Sequence, residues 1–499
     1  MQSERDAYDQ VAYPCFAYPD THPDHLAVMA MLHGLQPAPV ERCRVLEIGC
    51  NEAANLIPMA YAIPGSEFVG FDVAGEPIAR GQRRIQELGL TNLRIFQGDL
   101  MEIDETLGQF DYVIAHGLYA WVPEPVQTRL LEVCRRLLSP DGIAFVSYNT
   151  LPGGHLRNLV REILLIGGAG SSAPAESVAR GMEFLQFVVE AQKPEEPFRA
   201  LLERQMKKMK GRDASSIYHD EMGRVNRPVS FSDFVRHASE HGLQYASEAV
   251  LPFPNDPCFK PEQASVAEQL AGGDRIAEEQ IFDLIRMRMF RETLLCHAER
   301  AVKPEVDVEA FLRLRFGCEA ESAAGEDGVL RVYTQPGGLQ MKSQHPMTVR
   351  LMETLVEAWP RSLSFTELQV KMVSYGIDLD GDFYAQLLRL VIARFIRLSS
   401  WQAPVSDGID ERPKASLICR HEARTREHVA TLLHSSLRLE DSRVRDFLML
   451  LDGTRDREEL AAALRERCPE LSEAECAERL EPNLRLLHRN GVLLADDFV

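Results

Sequence analysis

Three carboxylates, a glycine and a histidine recur at one kind of place in this chain. Glu47 and Gly49, Asp72, Asp99 and His116 each fall where a short apolar run of strand type ends. In a sheet with helices on both faces, ligands bind beyond the carboxyl ends of the strands, where the strand order reverses. Three carboxylates around one crevice repel a pyrophosphate. They suit a ligand with positive groups and ribose hydroxyls but no phosphate, and S-adenosylmethionine (SAM) has a sulfonium, an ammonium and an adenosine. On this reading Asp72, 23 residues beyond Gly49, accepts both ribose hydroxyls. Asp99 accepts from the adenine amino group and Glu47 offsets the positive methionyl end. Tyr18, Cys50, Asn51, Val73, Leu100 and His116 complete the candidate cofactor-binding set.

The loop itself reads Gly-Cys-Asn-Glu-Ala-Ala from Gly49, where a dinucleotide loop would carry G-x-G-x-x-G. The second glycine of that fingerprint admits a pyrophosphate, so its loss fits a ligand that has none. Gly49 supplies the tight turn, and Asn51 is the next-best residue for left-handed backbone. Ala53 is small enough for the following helix to pack on the sheet, so Ala53→Gly is expected to change cofactor affinity only modestly.

These positions need a particular scaffold. Strand-type runs around 44–48, 67–72, 92–100, 109–115 and 143–149 alternate with helical patterns at 53–62, 76–89 and 124–138. This predicts an α/β, Rossmann-like parallel sheet. Residues 231–249 form a further helix-strand pair, assigned to the same sheet, which makes 155–228 a helical insertion rather than an independent domain. The small-residue stretch from Gly167 to Ser177 has the composition of a mobile linker. The expected division is 1–255 for the cofactor-binding domain, 256–400 for a middle helical, winged-helix-like domain, and 401–499 for a C-terminal winged-helix-like domain. The last two rest on a weak repeat. "VRLMETLVEAWPRSLSFTEL" and "VRDFLMLLDGTRDREEL" share an apolar helix, a turn and a Ser- or Asp-started helix with Glu-Leu, and an apolar strand closes each.

Bulk properties narrow the partners. A net charge of −20 on 499 residues argues against nucleic acid and anionic membranes. No secretory signal or membrane-spanning stretch is present, and the ten cysteines lack metal-ligand spacing, so a cytoplasmic protein with reduced thiols and no metal is expected. The winged-helix-like segments lack a basic recognition helix, which leaves protein contact as their expected role.

Acceptor chemistry is expected after the fourth strand. "AHGLYAWVPEP" contributes His116, Tyr119 and Trp121, and "YNTLPGGH" contributes Asn149, as candidate catalytic residues. Methyl transfer to an amine needs a neutral amine held in line in a pocket that excludes water. Before the first helix, Tyr8, Tyr13, Phe16 and Tyr18 alternate with Pro14, Pro19 and Pro23, a stiff segment suited to a lid over adenine or a cationic substrate. His22 and His25 beside Asp24 sit where a helix begins and are read as capping residues.

"VLEIGCN", "FVGFDVA", "GDL", "FDYVIAHGLYAWVP" and "LLSPDGIAFVSYN" resemble the successive motifs of class I SAM-dependent methyltransferases. "YNTLPGGH", "HDEMGRVNRPVSFSDFVRHASEHGLQYASEA" and "FRETLLC" are similar to bacterial methyltransferases with a methyltransferase regulatory domain, among them the rickettsial protein lysine methyltransferases. The resemblance covers about residues 8–300. It implies a homodimer and a protein lysine acceptor. A small-molecule methyltransferase and a non-catalytic SAM-binding assembly protein are the alternatives. Over 200 residues outside the cofactor domain favour a macromolecular acceptor. Removal of 401–499 is then expected to spare cofactor binding while impairing methylation of that acceptor.

Overall fold

The computed structural model describes residues 13–171, 173–223, 225–250, 261–325, 330–496 and 498. Its centre is a seven-stranded sheet: β1 (Arg44–Ile48), β2 (Glu67–Asp72), β3 (Leu93–Gln97), β4 (Phe110–Ala115), β5 (Leu138–Asn149), β6 (Leu243–Glu248) and β7 (Phe290–His297). The order is β3-β2-β1-β4-β5-β7-β6, with β7 antiparallel to both neighbours and the contacts among β1 to β5 all parallel. β1 and β4 are buried along almost their whole length, which is why they read as unbroken apolar runs. Between them the strand order reverses, and the crevice opens at their carboxyl ends.

The sheet runs past residue 255, where the sequence placed a domain boundary. β7 threads between β5 and β6 and completes the Rossmann-like layer. Arg291 holds it there. Its side chain is fully buried, meets Asp283 at 2.8 Å, Glu279 at 2.9 Å and Glu248 at 2.9 Å, and lies 3.7 Å over the Phe231 ring. An arginine inside a strand-type run reads as an edge or surface strand, and its carboxylate partners lie on other elements, Glu248 on β6 and Glu279 and Asp283 on helix Arg275–Arg286, so the pattern alone hid this strand.

Helices Gly153–Gly168, Pro174–Glu190, Pro197–Met209 and Ala214–Met222 leave the sheet after β5 and bury their own cluster around Leu164, Leu185 and Met209. The stretch expected as a mobile linker starts inside the first of them. A Cβ on Gly167 would come within 2.4 Å of Phe184, and one on Gly181 within 2.8 Å of the Leu164 carbonyl. These glycines serve close helix crossing rather than flexibility.

Helix Pro23–Leu32 is buried on all sides, which explains its uniformly apolar run "LAVMAML". It lies between the sheet and the middle segment, and one hydrophobic cluster extends from Leu26 and Met29 to Phe311, Leu351 and Phe383. Its buried Asp24 accepts from the Ser399 and Ser400 hydroxyls, both at 2.7 Å, and from the Trp401 amide at 3.1 Å.

The middle segment has the winged-helix order. Helices Pro346–Ala358, Phe365–Ser374 and Gly381–Ile392 pack with the small sheet β12-β8-β13, where β8 is Arg315–Gly317, β12 is Leu363–Ser364 and β13 is Arg397–Ser399. The three-stranded meander β9 (Glu321–Ala324), β10 (Arg331–Thr334) and β11 (Gln340–Ser343) was not visible as a pattern, because its strands alternate weakly. At the C-terminus, helices Ser442–Leu450, Arg457–Arg467 and Glu473–Arg489 follow the hairpin of β14 (His428–Ala430) and β15 (Ser436–Arg438). The repeated Glu-Leu has a physical basis. Ser364 with Glu367 and Asp456 with Glu459 form capping boxes, and the adjoining Leu368 and Leu460 are fully buried.

Replacing Arg291 by Met should destabilise the chain by about 3–5 kcal/mol in denaturant unfolding, because three carboxylates lose their shared cation. Arg291→Lys should recover part of that loss.

Candidate active site at the strand ends

Local backbone geometry explains the loop that joins β1 to helix Leu56–Ala62. Gly49, Asn51 and Ala53 all have positive φ, at 80°, 48° and 57°. The left-handed demand therefore recurs at every second residue. Asn51 meets it as expected. Ala53 meets it as well, so this alanine is under backbone strain and does more than pack. A β-carbon on Gly49 would have nothing within 4 Å, which leaves open space beside the loop, and the same holds at Gly117 beyond β4. Beneath the loop Cys50 is buried, its Sγ occupying the place of a Gly70 side chain (2.8 Å from an ideal Cβ there). The Cys50 thiol thus faces the sheet, and only its backbone borders the crevice.

Glu47 is buried, and its Oε1 accepts from Asn55 Nδ2 at 2.8 Å. Its Oε2 is buried with no hydrogen-bond partner among the described residues. Burial first, with the nearby Asp72 charge adding to it and the Asn55 hydrogen bond opposing it, pushes the carboxyl up to about 8. A buried carboxylate oxygen that lacks a partner suits an ammonium group, so the residues present fit SAM. Asp72 holds the opposite wall: its Oδ2 accepts from the Asn51 amide and its Oδ1 from the Ala74 amide, both at 2.9 Å. Both bonds fix the carboxylate at the end of β2. Asp99 caps a short 3-10 turn by accepting from the Met101 amide at 3.0 Å, and Leu100 beside it is buried. The Val73 carbonyl accepts from Gln97 Nε2 at 3.0 Å, which ties the ends of β2 and β3 together.

The segment before helix Pro23–Leu32 crosses this site. The Tyr18 amide donates to Asn55 Oδ1 at 3.0 Å, and its ring lies 4.3 Å from the His116 ring. Tyr13 donates its hydroxyl to Asp220 Oδ1 at 2.9 Å, and Phe16 meets the His428 ring at 5.2 Å. The Cys15 thiol is pushed up by burial and then by the charges of Glu52, Glu47 and Asp72. Tyr8 lies outside the described residues. His22 caps its helix, its Nδ1 accepting from the Asp24 amide at 3.2 Å.

Of the candidates for acceptor chemistry, His116 faces the crevice. It shares a hydrogen bond with the Ser147 hydroxyl at 3.1 Å, and burial lowers it to about 4 against the pull of Asp20 and Asp220. Trp121 borders the inserted helices, with Arg157 5.6 Å over its ring. Asn149 is tied to structural partners: Nδ2 donates to Asn226 at 2.9 Å and Oδ1 accepts from Arg157 at 2.8 Å. Tyr119 does not belong to the site. Its ring is buried edge-on to Phe234 at 5.0 Å and its hydroxyl meets His237 at 2.7 Å, on the other face of the sheet. Three residues after His116, the chain has already turned under helix Phe231–Glu240.

Several neighbours of the site escaped sequence reasoning. Glu292 lies opposite Ser147 in the β5–β7 register and so shares its face. Burial, then the charges of Asp20 and Glu248, push its carboxyl up to about 7. Asn55 carried one available signal, a polar residue directly before an apolar helix. Glu52 carried none, since one partner, Arg426, is 374 positions away.

Glu47 generates a pH prediction. Its folded value of about 8 lies above the ordinary 4.5, so the neutral form stabilises the free protein, fully below 4.5 and progressively less up to about 8. A bound ammonium favours the opposite, charged form. SAM affinity should therefore rise from about pH 6 to about pH 8, with release of a proton visible when calorimetry is repeated in buffers of different ionisation heat. Glu47→Gln should abolish that proton release and weaken binding about tenfold.

Comparison with known proteins agrees with this geometry. Residues 45–142 match the family "Methyltransferase domain", residues 213–297 match "Predicted methyltransferase regulatory domain", and residues 411–473 match "PKMT, C-terminal winged helix domain". RP789 of Rickettsia prowazekii is 27% identical over 483 residues, spanning 93% of this chain and 86% of that protein. RP028 of the same organism is 32% identical over 235 residues, spanning 47% of this chain and 94% of that protein. The structure of PKMT2 from Rickettsia typhi in complex with AdoHcy superposes with a TM-score of 0.87 at 22% identity, covering 96% of this chain and 99% of that one. With its Rossmann-like sheet, its buried acidic loop and its kinship to RP028, the chain belongs to the SAM-dependent methyltransferases that carry a methyltransferase regulatory domain.

Proposed function

We propose that the enzyme methylates lysine side chains of an acceptor protein, in the cytoplasm and as a homodimer. The observation that carries the acceptor is the wall beside His116. The rings of Tyr18 and Phe290 lie 4.3 and 6.2 Å from that histidine, Asp20 and Asp220 act electrostatically on it, and Glu292 shares the face. Aromatic faces and carboxylates together attract a cation. The resemblance of the sequence motifs to rickettsial protein lysine methyltransferases supports the same reading, as do the likeness in fold to PKMT2 in complex with AdoHcy and the match to the PKMT C-terminal winged helix. The net charge of −20 opposes nucleic acid as an acceptor.

Bound SAM supplies a methyl group on a sulfonium. The chain must hold the lysine, take its ammonium proton and keep water out. His116, lowered to about 4, stays neutral at working pH and packs the amine rather than deprotonating it. Glu292, near 7, is the group matched to receive the proton on its carboxylate. No helix among the described residues is long and apolar enough to cross a membrane. The nine described cysteines are free, in keeping with a reducing compartment. Exposed Ile166, Phe187 and Phe198 on the inserted helices favour self-association there.

Incubation with methyl-labelled SAM and a bacterial lysate tests the acceptor. Label should enter protein and appear as methylated lysine after acid hydrolysis; label confined to small molecules would refute the reading. Glu292→Gln should lower kcat about a hundredfold at neutral pH while SAM affinity stays within about twofold.

A further inference from the structure

The cofactor loop has a second set of contacts, on the side away from the crevice. Glu52 stands between the two strained residues Asn51 and Ala53. Its carboxylate meets Arg426 Nη2 at 2.5 Å and Arg80 Nε at 3.1 Å, with Arg84 at 3.7 Å, beyond hydrogen-bond reach. Burial works to raise this carboxyl, but the Arg426 charge and the Arg426 and Arg80 hydrogen bonds outweigh it and hold it below the ordinary value. Arg84 in turn binds the buried Glu422 at 2.5 Å, and Glu422 Oε2 also accepts from the Ala430 amide at 2.6 Å. Glu422, Arg426 and Ala430 all lie in the C-terminal winged-helix region.

A second contact comes from the turn of the β14–β15 hairpin. His434 is buried at its tip, with φ 56°, and its Nε2 meets Asn55 Oδ1 at 2.9 Å. An amide oxygen only accepts, so this nitrogen carries the proton. The other end of the same amide donates to Thr21 Oγ1 at 2.9 Å and to Glu47 Oε1 at 2.8 Å. His434, together with the Tyr18 amide, thus fixes the rotation of Asn55, and Asn55 aims Glu47. Nothing in the sequence points from 401–499 to this loop, but these contacts join them, and the expectation that removal of 401–499 spares cofactor binding loses its basis.

We propose that Arg426 and His434 are positioning residues for the SAM loop, so that affinity for the cofactor is set from the C-terminal winged-helix domain. Arg426 holds Glu52 and with it the left-handed pair on either side. His434 holds Asn55, whose Nδ2 donates to the Glu47 carboxylate. Neither side chain needs to touch SAM. The inference rests on the cofactor site and is independent of the acceptor proposed above.

Calorimetry with S-adenosylhomocysteine on the full chain tests it without any acceptor. Arg426→Ala and His434→Ala should each raise Kd about tenfold, and Arg426→Lys should recover part of that affinity. The KM for SAM should rise while kcat at saturating SAM stays within about twofold, a split that general destabilisation does not produce. Arg438→Ala, exposed on β15 and paired only with Glu427 and Glu440 among the described residues, serves as the control and should bind normally. Glu52→Gln combined with Arg426→Ala should lose no more affinity than Arg426→Ala alone. If Arg426→Ala does not fold, Arg426→Lys and Glu52→Gln decide the matter. Unchanged Kd in folded variants, an equal loss in Arg438→Ala, or additive losses in the double variant would overturn the proposal.

Discussion

Everything at the strand ends depends on a loop that turns left-handed three times with a single glycine to do it. Left-handed backbone costs roughly 1–2 kcal/mol at a residue with a β-carbon, somewhat less at asparagine. Asn51 and Ala53 therefore store strain that the surrounding structure must outweigh. Asp72 holds the Asn51 amide from the crevice side, and Glu52 is held from behind by hydrogen bonds from Arg426 and Arg80. A glycine-rich loop would need neither restraint. Losing the glycines shifts the determinants of loop shape from backbone freedom to side-chain charge.

That shift explains why the domains are interlocked. Helix Pro23–Leu32 is enclosed by the sheet on one side and the middle segment on the other, with Asp24 binding residues 399–401. The chain leaving Asp24 in the N-terminal direction crosses the crevice at Tyr18, and the chain leaving Trp401 leads to Arg426 and His434. Both therefore converge on Asn55, whose amide joins the N-terminal segment, the C-terminal hairpin and Glu47. The Arg84–Glu422 pair near this junction is sheltered from solvent, so it acts as a geometric restraint more than as a source of net stability.

The sequence made legible whatever depends on local pattern. The five alternating strands, the carboxylates at their ends, the left-handed role of Asn51 and the Glu-Leu helix starts all follow from short-range rules of burial, turn chemistry and capping. What it hid depends on pairing across long separations. β7 carries a buried arginine whose partners lie on other elements, so no apolar pattern marks it as central. Tyr119 shares a motif with His116, yet one tight turn puts it on the opposite face of the sheet. Glu292 becomes a candidate only once its register with Ser147 is known. Ala53 looked like a packing choice, because composition does not reveal the sign of φ.

The account stands or falls on whether the C-terminal hairpin region holds the loop in shape. Hydrogen exchange read by mass spectrometry over residues 49–55, in the full chain and in Arg426→Ala, addresses this directly. The amides of Gly49, Cys50, Asn51 and Ala53 are all hydrogen-bonded, so their protection reports the loop conformation. Faster exchange in the variant, restored by saturating S-adenosylhomocysteine, is the predicted result. Identical exchange in the two ligand-free proteins would contradict it.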